Sequence, residues 1–407
     1  MKWIEGGITA PKGFLAASTN AEIRYKDRTD MAMIYSEMPC KAAGVFTSNK
    51  VKAAPVKWNM ELIEGTPFVK AVVVNAGIAN ACTGEEGMEH CKRTAEKAGS
   101  LLLVPSISVL LASTGVIGME LPIEKLEKGI EAMADNLSDT IEAGSLAAQA
   151  ILTTDTKKKE IAIQVEIEGE MVTIGGMCKG SGMIHPDMCT MLSFVTTDVE
   201  IDKELLHELV KEDVKDTYNM ISVDGDTSTN DSFIVLANGM AKNKKICDRG
   251  KDFEKFKKAF HEVNVYLAKA IAGDGEGATA LIEAKVINAR TKKDAVLLSK
   301  AIISSSLTKA AIFGHDANWG RILCAMGYSG AEFDPDKAEL RFQSKGGTIL
   351  VYKDGKGTNY QEEEAAKILS QQEVTIFVDT KEGREEATAW GCDLTYDYVK
   401  INGDYRS

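Results

Sequence analysis

One stretch of this chain combines residue types and spacing that point to covalent chemistry. Glycines at 175, 176, 180 and 182 give the backbone freedom and close approach, Pro186 then stiffens it, and Thr190 opens an apolar run to Thr197. A threonine hydroxyl is a poor nucleophile unless an adjacent base takes its proton. A free α-amine has a reference pKa of about 7.7–8.0, so a threonine that became N-terminal would carry its own base. An internal threonine has only an amide nitrogen. Its hydroxyl can, however, attack the preceding carbonyl; the C–N bond then breaks to leave an ester and a free amine, and hydrolysis of that ester separates the two chains. Cleavage between Cys189 and Thr190 and acyl transfer by Thr190 would thus use the same oxygen. A glycine loop feeding a core strand that happens to begin with Thr is the plainer explanation of the same letters.

Such a nucleophile needs rigid elements around it. Ala71–Val74 and Leu101–Val104 read as buried strands, and a further apolar stretch leads into Ser113-Thr114-Gly115. Residues 160–176 read as a hairpin turning at Glu168-Gly169-Glu170. Helices are predicted over Ile123–Ala134, Ile141–Ile151, Ile201–Glu212 and Phe253–Ile271, the last with apolar residues at helical spacing. Beyond a strand at Thr279–Ala289, helices at Lys293–Ser305 and Glu362–Gln371 alternate with strands at Ala338–Phe342 and Val374–Val378. A domain boundary is placed near 280–290, and the mixture predicts layered α/β rather than a purely parallel nucleotide fold.

The composition excludes several classes. The chain has 407 residues, 44% hydrophobic and 27% charged, which suits two or three globular domains. A net charge of −12 opposes nucleic-acid binding. The basic runs Lys157–Lys159 and Lys242–Lys245 are flanked by acids and read as solvated faces. Eight cysteines without a C-x-x-C pair suggest reduced thiols rather than zinc or disulfides. The start of the chain lacks the apolar core of a signal peptide, and no apolar run approaches the ~20 residues needed to span a bilayer. A soluble, cytoplasmic protein is expected.

The segment Lys179-Gly180-Ser181-Gly182-Met183-Ile184-His185-Pro186-Asp187-Met188-Cys189-Thr190-Met191-Leu192 resembles the glutamate N-acetyltransferase/ornithine acetyltransferase family of arginine biosynthesis. Its members share K-G-x-G-M-I-x-P-x-M-A-T-M-L and cut between Ala and Thr; here Cys189 stands where Ala is usual. The resemblance runs along essentially the whole chain. It includes Asn75-Ala76-Gly77-Ile78-Ala79-Asn80, Ser113-Thr114-Gly115-Val116, Asp224-Gly225-Asp226-Thr227-Ser228-Thr229-Asn230-Asp231, Asn318-Trp319-Gly320-Arg321 and Trp390-Gly391-Cys392-Asp393.

This resemblance implies roles. Thr190 is the nucleophile, with Cys189–Thr190 the processing site, and Thr114 and Gly115 form the oxyanion hole. Thr153, Lys179, Thr190, Glu276, Asn402 and Ser407 bind substrate, although counting does not separate Thr153 from Thr154. Lys179 suits an amino-acid carboxylate and Glu276 the side-chain ammonium of ornithine; Ser407 stands where the family often ends in Thr. The implied fold is an αββα sandwich of the N-terminal-nucleophile type over residues 1–285. A smaller C-terminal α/β domain over 286–407 would send its C-terminus into the site. The implied reaction moves acetyl from N2-acetyl-L-ornithine to L-glutamate through acetyl-Thr190. It needs no cofactor and no metal, and leaves open acetyl-CoA as a second donor. The two cleaved chains are expected to stay together as an α2β2 assembly, with no nucleic-acid or membrane partner.

Gly273-Asp274-Gly275-Glu276-Gly277 has glycines of a dinucleotide loop, but it follows a helix and precedes a strand, the reverse of the order that places phosphate on a helix N-terminus. Asp224-Gly225-Asp226 starts like a calcium loop but misplaces the later ligands, so it reads as structural support. The five histidines show no ligand spacing, and His185 is assigned no role. Two rival functions remain: an N-terminal-nucleophile aminopeptidase that transfers the acyl group to water, and a non-catalytic small-molecule binder of the same fold.

Overall fold

The structure, a computed structural model, describes residues 1–185 and 191–405. Strands β1 (Lys2–Ile4), β2 (Phe14–Thr19) and β3 (Met31–Phe46) precede helix α1 (Ala54–Gly65), β4 (Val69–Ile78), α2 (Gly84–Leu102) and β5 (Val109–Val116). Helices α3 (Ile123–Ala134) and α4 (Ile141–Ala150) lead to the hairpin β6 (Lys159–Ile167) and β7 (Glu170–Lys179). Next come β8 (Leu192–Thr197), α5 (Lys203–Asp213), the short β9 (Ile221–Ser222), β10 (Ser232–Ala237) and α6 (Lys251–Ala272). The remainder is β11 (Leu281–Ala289), α7 (Lys292–Ser304), α8 (Ser306–Phe313), α9 (Trp319–Gly327), β12 (Glu339–Ser344) and β13 (Gly347–Lys353). It finishes with β14 (Lys356–Gly357), α10 (Glu362–Leu369), β15 (Glu373–Asp379), β16 (Glu385–Cys392) and α11 (Tyr396–Asp404).

The long β3 joins two leaves of sheet. Its first half pairs with β2 and β4, its second half with β10, and the register breaks between Tyr35 and Cys40. One leaf therefore runs β1-β6-β7-β8-β10-β3, and the other continues through β4 to β5. The period-2 alternation of each strand shows how the leaves stack. Phe194, Ile234, Val72, Val74 and Leu110 share one apolar cluster, the space between the leaves. Their neighbours Val195 and Val235 turn the other way, into a cluster with Phe256 and Phe260 of α6. Val73 and Leu111 likewise turn out against Ala95 of α2 and Ile130 of α3. Helix, leaf, leaf, helix: this is the expected αββα sandwich.

The second sheet has the order β14-β13-β12-β15-β11-β16-β9. The division expected at 285/286 falls inside β11, and β9 reaches in from the preceding part to pair with β16. One apolar cluster runs unbroken from Val195 through Phe260 to Val286 and Trp390, so both parts share a core. Among the described residues no single helix is long and apolar enough to cross a membrane.

Most predicted elements coincide with observed ones, α3 residue for residue. Leu101–Val104 does not. It is the end of α2 and its cap, with Leu103 in the left-handed region at φ 56° and 91% exposed. An apolar run too short to show a period cannot tell a helix end from a strand.

Candidate active site

Six residues singled out in the sequence line one cavity: Thr114, Gly115, Thr153, Lys179, Glu276 and Asn402. Thr154 lines it too, so the choice between Thr153 and Thr154 stays open. Cys189, Thr190 and Ser407 lie outside the described residues. Their described neighbours Ile184 and Met191 both face the same cavity, and Met191 accepts a backbone hydrogen bond from Ser232 N–H at the head of β10 (2.9 Å).

Thr114 and Gly115 lie near the end of β5, where its pairing with β4 turns irregular. Gly115 has φ +131°, and a Cβ there would meet the Gly77 carbonyl carbon at 2.2 Å. Only glycine tolerates both the dihedral and the approach. This stretch is braced by amides. Asn230 Nδ2 donates to Ser113 O (2.8 Å) and to Ala79 O (2.6 Å), while Ser113 Oγ donates to Asn75 Oδ1 (2.7 Å). These satisfy carbonyls that an irregular strand end would otherwise leave unpaired in the core.

Lys179, at the end of β7, stands 3.8 Å from Asp155 Oδ2. The Asp155 side chain is fully buried. It accepts Lys159 Nζ (2.7 Å) and the N–H groups of Gly180 (2.7 Å) and Thr153 (3.1 Å). Lys159 also reaches Asp274 Oδ2 (2.6 Å), which accepts Thr156 N–H (3.0 Å). Burial works against the Asp155 charge, but Lys179 and Lys159 outweigh it and hold the carboxyl well below the ordinary range. Lys159 moves the other way: burial opposes its charge, while Asp155 and Asp274 raise it. Two acids thus face two amines, with Lys179 making the longer contact. Lys159 corrects the reading of 157–159 as a solvated face: it is 3% exposed and paired twice.

Glu276 is 8% exposed. Its N–H donates to Ser181 O (3.1 Å), and Asn402 Nδ2 donates to its Oε2 (2.7 Å). A Cβ on Gly182 would sit 2.4 Å from this carboxylate, so the glycine loop is what lets Glu276 in. Helix α11 has no buried residue, and its docking is polar. Asn402 holds Glu276, Thr395 Oγ1 donates to Gly277 O (2.7 Å), and the Arg24 guanidinium lies 5.6 Å from the Tyr405 ring. Burial, with Asp224 and Glu276 close by, pushes the Tyr398 phenol up.

The chain entering the undescribed segment is clamped. Met183 is held at φ +57°. Asp224 accepts Met183 N–H (2.6 Å) and Ile184 N–H (2.8 Å), and Thr227 Oγ1 donates to His185 O (2.8 Å). The loop set aside as a calcium site therefore braces the backbone before residue 190. His185 Nδ1 contacts Ser222 Oγ (3.0 Å), a structural contact. Reasoning from sequence missed Asp155, Lys159 and Asp274. Their only sequence signal was acid placed among Thr, Lys and Gly in Thr153–Lys159 and Gly273–Gly277.

A sequence profile of the ArgJ family matches residues 15–407. The arginine biosynthesis bifunctional protein ArgJ of Thermotoga neapolitana is 53% identical over 399 residues, covering 98% of this chain and 99% of that protein. The protein of the same name from Caldanaerobacter subterraneus subsp. tengcongensis is 51% identical over 407 residues, 100% of both chains. A crystal structure of the Bacillus halodurans arginine biosynthesis bifunctional protein superposes with a TM-score of 0.50 at 44% identity. It covers 52% of this chain and 98% of its own.

Proposed function

The chain belongs to the ArgJ family, and from that premise we propose that it cuts itself before Thr190 and then carries an acetyl group from N2-acetyl-L-ornithine to L-glutamate on that residue. It is an acetyltransferase of arginine biosynthesis. The observation that carries the reading is the convergence of residues from 114 to 402 on one cavity shared with Met191, the residue after the proposed cut.

In this scheme the freed α-amine of Thr190 takes the hydroxyl proton as the oxygen attacks the acetyl carbonyl. Thr114 Oγ1 and the Gly115 N–H stabilise the oxyanion, and ornithine leaves with the proton. The amine of glutamate then attacks the ester, returning the hydroxyl to Thr190. Donor and product are both secondary amides of near-equal energy, so no ATP enters. Lys179 takes the amino-acid carboxylate and the Glu276–Asn402 pair the ornithine ammonium. The relatives are named bifunctional, which supports acetyl-CoA as a second donor. The α2β2 assembly of paired fragments and a cytoplasmic setting belong to the same proposal.

The test follows acetyl groups. Acetylglutamate is expected from N2-acetylornithine plus glutamate, with an acetylated fragment beginning at Thr190 after acid quenching. Acetate alone, with glutamate untouched, would mark a hydrolase and overturn the transfer. Gly115→Ala is expected to lower kcat on the order of 10²-fold, the worth of one displaced oxyanion donor, because its Cβ would push β5 off Gly77. Steady-state kinetics with little change in KM would show it.

A further inference from the structure

We propose that Glu86, His90 and Glu120 form a site for a first-row divalent cation, such as Zn2+ or Mn2+, on the face of the sandwich where α2 meets the loop leaving β5. Glu86 and His90 are one helical turn apart on α2, so they leave the helix on one side. Glu120 lies just beyond β5, in a loop drawn to the approach of α2 by Gly118 N–H donating to Ala81 O (2.9 Å). One ring nitrogen of His90 and one carboxylate oxygen from each glutamate lie within 4.8 Å of one another.

The gathering alone would be two solvated acids. What points to a ligand is the histidine. His90 is only 5% exposed, and its Nδ1 is buried with no hydrogen-bond partner among the described residues. An orphaned buried nitrogen is costly, and native structures leave few of them. Among the described residues no hydrogen bond or ion pair is recorded between the three groups, although one donor atom of each lies within 4.8 Å of the others. Donors sharing one ion at bonds of about 2.0–2.2 Å sit roughly 3–4 Å apart, so rotations of the two exposed glutamates suffice. One imidazole with two carboxylates favours Zn2+, Mn2+ or Co2+ over Mg2+ or Ca2+, which prefer all-oxygen shells. The positive end of α2 opposes a cation here, and the two glutamate charges offset it. The spacing of the histidines alone does not show this site; the sequence signal is an acid four residues before a histidine on a helix.

The site stands apart from acetyl transfer and is tested apart from it. The purified protein, freed of metal by chelator, is titrated with Co2+ by visible absorption and with Zn2+ by calorimetry. One ion per chain is expected, and Glu86→Gln and Glu120→Gln should each weaken binding by roughly tenfold or more. Both residues are exposed and lie outside the catalytic cavity, so circular dichroism and acetyl transfer in metal-free buffer should be unchanged in both variants. No saturable binding below millimolar Zn2+ would overturn the proposal, as would affinity that survives in either variant.

Discussion

Thr190→Ala is expected to give a single full-length chain on a denaturing gel and no measurable acetyl transfer. The alanine removes the oxygen that would attack the preceding carbonyl, so no amine is released; the same loss removes the acyl carrier. Removing a nucleophile that acts with its base as a unit costs on the order of 10⁴-fold or more. N-terminal sequencing separates the two consequences: the wild-type protein should yield a fragment beginning at Thr190, the variant none. Thr190→Ser keeps a hydroxyl and should cut more slowly. An uncut wild-type chain that still transfers acetyl would sink the scheme, because an internal threonine lacks the base. Cys189 in place of the usual alanine makes the rate of the cut worth following in time.

Asp155→Asn is expected to destabilise the protein by about 3 kcal/mol and to raise KM for both amino-acid substrates. Removing one partner of a buried ion pair costs about 3–5 kcal/mol, and Lys159 keeps Asp274, which places this at the low end. The same change loosens Thr153, Lys179 and Gly180, all of which lean on Asp155. The sign with pH follows from its depressed folded-state pKa. The unfolded chain binds this proton more readily, so the stabilisation is fully present above the ordinary carboxylate value of about 3.9. It is lost as pH falls through the lower folded value. In denaturant unfolding, the gap between wild type and Asp155→Asn should therefore hold steady from pH 7 to about pH 4 and narrow below. A gap unchanged in stronger acid would show that the Asp155 charge contributes nothing.

Much of this was legible in the sequence. Periodicity placed α3, α6 and the hairpin read at 160–176, because each is long enough to display a repeat of 3.6 or 2. Glycines at 115 and 182 were visible, and each proves to sit where a Cβ would collide with backbone or with Glu276. The family pattern pointed to Thr114, Lys179, Glu276 and Asn402 as members of one site.

Other features were decided only by the tertiary structure. Leu103 looked apolar enough for a strand and is a helix cap in solvent. Lys159 looked like a surface lysine and is the centre of a buried network. The sequence by itself pointed to Thr190 as the acyl carrier, since a hydroxyl and a latent amine on one residue are local chemistry and the family pattern around it runs along the chain. The three-dimensional fold alone decided how the residues around the cavity meet. Asp155 meets Asp274 through Lys159, Glu276 meets Asn402, and Asp224 holds the turn at Met183, each across dozens of residues or more. Charge pairing and hydrogen bonding act through space over a few ångströms. A linear pattern therefore shows the groups, and only the packed layers show which of them meet.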